Sequence, residues 1–280
     1  MSTTTTASRS AHQQHGRAPI RFIRRRPVLA FCLLAFGLGL PLLTLHTVTT
    51  TAHATLGHLF TYGALLGSAV LVTRIADGPG GVRRMLRRML LWRFPLWRWV
   101  IVLLSIPALT AATAAAAGTL STPAGGWPAA GAAYLYATVV TGALLVNLAE
   151  ETAWAGMVQT RLAARHGLLH GALLTAPLFA AMHLPLQFAP GWTSGSVAIG
   201  TVALILVAPV FRYVVGDLLE GTGGSLLAVG LWHASFNASA QFGSGGWEIL
   251  IALVILAAGL AIRRHMRRTT GRTTGQPVTE

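Results

Sequence analysis

Three groups of polar residues stand inside apolar runs of this sequence. The first is Asn147-Leu-Ala-Glu150-Glu151-Thr-Ala-Trp154-Ala-Gly156. The second is Phe179-Ala-Ala-Met182-His183-Leu-Pro185, and the third is His233-Ala-Ser-Phe236-Asn237. A carboxylate near the centre of a bilayer costs at least a few kcal/mol, so such residues mark function by default. The set of Glu150, His183, His233 and Asn237 suits hydrolysis. A glutamate with a histidine can take a proton from water. A histidine and an asparagine can donate to a developing oxyanion. His233 and Asn237 are four apart and share a helix face, so both can point at one oxygen. The same glutamate and two histidines could instead hold a divalent metal such as zinc. No His-Glu-x-x-His pair is present, so that metalloprotease helix is absent.

Each group also has a plainer reading. Both glutamates could sit at the membrane surface if their helix ended early. His183 alone could be a hydrogen-bonded packing residue, with Pro185 ending or kinking the helix just beyond it. His233 and Asn237 could form a polar interhelical contact, worth about 1 kcal/mol. Adjacent glutamates point about 100° apart around a helix. One of the pair can therefore face a cavity while the other, Glu151, holds a neighbouring helix. The remaining histidines lie in tails, near the connection at 46–58 or at 166–170, with no carboxylate in an apolar run beside them. Asp217 and Glu220 read as an interfacial pair.

The elements that must position these groups are membrane helices. Of 280 residues, 53% are hydrophobic and only 10% charged. A soluble domain carries about a quarter charged residues, so that class is excluded, and the apolar content excludes disorder. Cys32 is the one cysteine, which rules out a disulfide framework and a cysteine-based zinc site. Apolar runs of near-spanning length occur at 28–45, 56–73, 99–117, 131–149, 168–188, 197–215, 224–242 and 247–262. The reading is an all-α polytopic membrane protein with about eight spans.

Charge placement supports the count. The net charge is +14, carried by 21 arginines without a lysine. Arginines occur before the first run, between the second and third, after the fourth, at Arg212 ending the sixth, and after the eighth. The connections 46–55, 118–130, 189–196 and 243–246 contain none. Alternation of this kind places both termini in the cytoplasm. The arginines interrupt apolar runs instead of coating a domain, and no RNA- or DNA-binding motif appears, so nucleic acid is not an expected partner. Residues 1–19 and 267–280 read as polar, disordered cytoplasmic tails around a membrane domain at 20–266. A rival reading makes the first run a signal peptide cleaved near Ala52-His53-Ala54. Gly81–Trp99 reads as a basic amphipathic helix in the headgroup layer, with Trp92, Trp97 and Trp99 in an interfacial belt.

The order Glu-Glu, Phe-x-x-x-His and His-x-x-x-Asn on successive apolar helices resembles the CPBP, or Abi, family of intramembrane proteases. That family includes the type II CAAX prenyl endopeptidases and bacteriocin-immunity proteins. The resemblance covers about 135–242, with a weaker likeness at Gly80-Gly81-Val82-Arg83. It implies an eight-helix membrane peptidase. Glu150 with His183 would activate water, His233 and Asn237 would stabilise the oxyanion, and Glu151 would be structural. Family members are often named metalloproteases, and a metal-free glutamate mechanism is also proposed for them. In one departure, the family's Glu-Glu-x-x-x-Arg would place arginine where Ala155 stands. If that arginine pairs with the second glutamate, Glu151 has lost a partner; Arg161 lies too far along the helix to replace it, though another helix could supply a cation.

The expected function is therefore an intramembrane endopeptidase in the cell membrane, cleaving a peptide or protein near the cytoplasmic leaflet. A membrane-anchored, CAAX-like substrate would fit the family. The alternatives are a catalytically silent scaffold or immunity protein, and a proton- or cation-coupled transporter.

Overall fold

A computed structural model describes residues 18–49, 52–188, 190, 191, 193–243 and 246–273. The expected tails fall largely outside these residues. Every regular element among them is helical and none is a strand. The chain is a multi-pass membrane protein. Six helices are long and apolar enough to cross a bilayer: Pro27–Val48 (α1), His53–Ala76 (α2), Leu96–Ala116, Gly126–Phe188, Ser194–Gly221 and Trp247–Arg267.

The expected eight spans are not reproduced by length and composition, for two physical reasons. First, Gly126–Phe188 combines two of them. Gly167 leaves helical geometry at φ 79° and ψ 168°, which only glycine adopts freely. A Cβ on Gly171 would stand 2.6 Å from Cα of Ala163, a proximity impossible along one straight helix. The chain reverses there, giving α5 (residues 126–166) and α6 (residues 168–183). Second, the seventh expected span is only the 13-residue helix Leu226–Ala238 (α8). At 1.5 Å per residue it is about 20 Å long, short of the hydrocarbon thickness. Protein rather than lipid surrounds it, since Leu226, Ala228 and every residue from Val229 to Ser235 are buried.

Three smaller expectations also change. The basic amphipathic segment is not one helix to Trp99. Gly78–Met89 (α3) ends at Leu90, and Leu96–Ala116 (α4) starts after Pro95, so Trp97, Arg98 and Trp99 belong to the first turns of α4. Arg98 is 5% exposed, hence no solvated loop charge. The last helix, Trp247–Thr273 (α9), runs into the segment read as a polar tail. The sixth span is the helix Ser194–Gly221 (α7).

The helix carrying Glu150 meets the one carrying His233 along a seam of small residues. A Cβ on Gly142 would lie 2.5 Å from Cβ of Ala234, and one on Gly230 would lie 2.9 Å from Cα of Leu148. Backbones approach this closely only where side chains are absent, a recurrent device between membrane helices. On α8 the seam brackets His233, between Gly230 and Ala234, and so sets its distance from Glu151, three residues beyond Leu148. We expect Gly142→Leu to destabilise the protein by about 1–3 kcal/mol through overpacking. Gly131→Leu, on the same helix with open space around it, should have a much smaller effect. Thermal unfolding of the detergent-purified proteins compares the two.

Candidate active site

Glu150 and Glu151 occupy a short α-helical turn, Leu148–Glu151, between two wider π-helical stretches, Ala137–Asn147 and Thr152–Gln159. Such widenings recur at functional sites because they re-aim side chains. Here the two carboxylates diverge to different helices. Glu150 turns to α6, where its Oε1 lies 3.0 Å from Nε2 of His183. Its Oε2 accepts from Nδ2 of Asn147 at 3.3 Å. Glu151 turns to α7 and α8.

The Glu150–His183 contact is close without being an aligned hydrogen bond. Nδ1 of His183 lies 2.7 Å from the carbonyl of Phe179. A carbonyl can only accept, so Nδ1 carries the hydrogen and Nε2 is the nitrogen left to face the carboxylate. Pro185 and the tight turn Leu184–Phe188 end α6 at this point. Oε1 of Glu150 is buried, and no N–H or O–H axis points at it. It keeps its lone pairs while sitting beside an imidazole.

Glu151 is in the opposite condition. Both oxygens accept from the Arg212 guanidinium at 3.0–3.1 Å, and Oε1 also accepts from Nδ1 of His233 at 2.9 Å. Arg212 and Glu151 are fully buried. Nε of Arg212 donates to Oε1 of Gln159, whose amide donates back to the Arg212 carbonyl. Because Nδ1 of His233 donates to a carboxylate, its Nε2 is the free ring nitrogen. That nitrogen donates only when the ring is charged.

One cavity of about 520 Å³ gathers these groups, with Asn147, Glu150, His183, His233 and Asn237 all on its wall. Glu151 is not on that wall. Phe179 and Phe211 stack at 5.6 Å and line it beside the two imidazoles. Asn237 is exposed, and among the described residues it makes no hydrogen bond to His233 or to either glutamate. The structure therefore brings Glu150 to His183 and Glu151 to His233, with Asn237 on the rim. Among the described residues, no group of three or more His, Cys, Asp or Glu is placed to hold a metal ion. Each carboxylate is instead paired with one imidazole, Glu150 with His183 and Glu151 with His233.

Sequence reasoning missed four participants. Arg212 reads as a cytoplasmic topology charge, yet it lies in the core and supplies the cation that Ala155 cannot. Its position inside Val210-Phe211-Arg212-Tyr213-Val214 was a signal, since arginine in an apolar run usually faces protein. Gln159 carried no signal. His46 and His58, assigned to an external connection, line the same cavity.

Residues 132–239 match the family model described as type II CAAX prenyl endopeptidase Rce1-like. The match spans both glutamates, both histidines, Asn237 and Arg212. Over these residues the chain is similar to that family of membrane endopeptidases. No curated protein matches the chain.

Removing one partner of a buried ion pair strands the other, at a cost of about 3–5 kcal/mol. Arg212→Met should destabilise the protein by that order. The double variant Arg212→Met/Glu151→Met should recover a large share of the loss. Unfolding curves in detergent test both, and an Arg212→Met protein as stable as the parent would refute the pairing.

Proposed function

We propose that this protein hydrolyses a peptide bond inside the membrane, with Glu150 as general base. The observation that carries the reading is the buried Oε1 of Glu150, 3.0 Å from His183 Nε2, without an aligned donor, on the wall of a 520 Å³ cavity. Water held between Oε1 and the scissile carbonyl gives a proton to Glu150 as its oxygen bonds to the carbonyl carbon. The oxyanion accepts from Asn237 and from Nε2 of a charged His233, whose other nitrogen is held by Glu151. Glu150 then passes the proton to the leaving nitrogen as the carbon–nitrogen bond breaks. His183, held through Nδ1 by the Phe179 carbonyl, keeps Nε2 beside Glu150 and stabilises the ionised carboxylate when the ring is charged. The aromatic wall of Phe179 and Phe211 lowers the local dielectric, which strengthens each of these interactions.

The side of access is read from the cavity wall. Its lining includes His46, Ala54, Gly57, His58, Leu186 and Asn237. These residues lie in or beside the connections 46–55, 189–196 and 243–246, which lack arginine. The positive-inside rule puts arginine-free connections outside the cytoplasm. In this reading the termini are cytoplasmic and the entrance faces the other side, in place of the cytoplasmic leaflet that the sequence alone suggested. The substrate is a peptide segment that reaches the cavity from the outer leaflet.

Glu150→Gln and His183→Ala should each lower peptide cleavage by about 10²–10⁴-fold, the usual worth of a general base, while the protein still inserts and folds. The assay is run with and without a chelator. Normal cleavage by both variants would sink the assignment. For the side of access, His58→Cys in a Cys32→Ser background should react with an impermeant maleimide on intact cells. Arg83→Cys should react only after permeabilisation. The reverse pattern would overturn the proposed entrance.

A further inference from the structure

At the opposite end of the molecule from the cavity mouth, a second cleft of about 210 Å³ is lined by Arg98, Arg263, Arg264 and Arg267, with Asp217 and Glu220. Four guanidinium groups face two carboxylates, so the cleft carries an excess of positive charge. Arg98 lies 3.3 Å from Asp217, and Arg264 lies 3.6 Å from Asp217 and 2.7 Å from Glu220. Both carboxylates are thereby engaged. Among the described residues Arg263 and Arg267 form no ion pair, and Arg263 instead stacks 3.8 Å from the centre of the Trp97 ring. Arg98, also over Trp97 at 4.1 Å, has a side chain only 6% exposed, and its Nε–H has no partner.

Local architecture makes room for these charges. A Cβ on Gly221 would lie 2.1 Å from an Arg98 guanidinium nitrogen, so the close of α7 is shaped to admit that side chain. A buried N–H left unpaired is costly, and an arginine held in place by a carboxylate and an indole retains little conformational freedom. Planar guanidinium groups match phosphate oxygens in two-pronged geometry. Basic clefts between helices on the cytoplasmic side are a recurrent setting for anionic headgroups.

We propose that the cleft of Arg98, Arg263, Arg264 and Arg267 binds a phosphate group. The source is a phosphodiester lipid headgroup or a soluble phosphate, and the chemistry recognised is the same. The site is independent of the peptidase reading.

The test uses the full chain in neutral detergent and reads its melting temperature. One arm adds inorganic phosphate against chloride at equal ionic strength. The other adds short-chain phosphatidylglycerol against short-chain phosphatidylcholine. Stabilisation of several degrees by phosphate, by phosphatidylglycerol or by both supports the site and identifies its source. Arg263→Gln/Arg267→Gln should raise the half-saturating concentration at least fivefold. Arg83→Gln/Arg84→Gln removes the same charge from exposed positions and should leave it unchanged. No stabilisation in either arm, an unaltered response of the first variant, or an equal loss in the second overturns the proposal.

Discussion

The ion pair between Arg212 and Glu151 is the constraint on which the rest of the structure depends. Two ions taken out of water cost several kcal/mol each, and attraction offsets this only when the remaining hydrogen-bonding capacity is also filled. Here it is filled. The guanidinium gives two prongs to the carboxylate and its third edge to Gln159, and His233 occupies a further lone pair. The helices α5, α7 and α8 are thereby fixed to one another at a single point. The small-residue seam of Gly142 and Gly230 makes that approach possible. The ion pair makes it specific.

Glu150 differs from its neighbour in the one respect that matters for chemistry. Glu151 has every oxygen occupied and is closed to solvent, so it can only hold. Glu150 has one oxygen engaged by Asn147 and the other left with an imidazole nearby. Adjacent residues of one type thus take unlike roles, because a helical turn between two π-helical stretches sends them to different helices. Both imidazoles are tied through Nδ1, one to a carbonyl and one to a carboxylate. Each therefore offers Nε2 to its surroundings in a fixed orientation.

Much of this was legible in the residues. Carboxylates and imidazoles in apolar runs stand out because lipid penalises them, and the split between Glu150 and Glu151 follows from helix geometry. Helix class followed from composition. Depth and partnership were less legible. Arg212 and Arg98 were indistinguishable from topology charges by counting alone, because burial depends on which helices close around them. Eight runs were visible, but hydropathy cannot tell a span bathed in lipid from one such as α8 wrapped by protein. The reversal at Gly167 rests on one backbone angle that neighbouring side chains do not announce. His46 and His58 reach the cavity only through the packing of α1 and α2, which no local spacing encodes.

The counter-ion of Glu151 resides on a different helix from the one where the resembled motif would carry it. Positions 155 and 212 are consequently coupled through one carboxylate. Grafting the Glu-Glu segment of an arginine-bearing relative into this protein would crowd two cations around one carboxylate. A buried glutamate moved between scaffolds has to travel together with the cation that neutralises it.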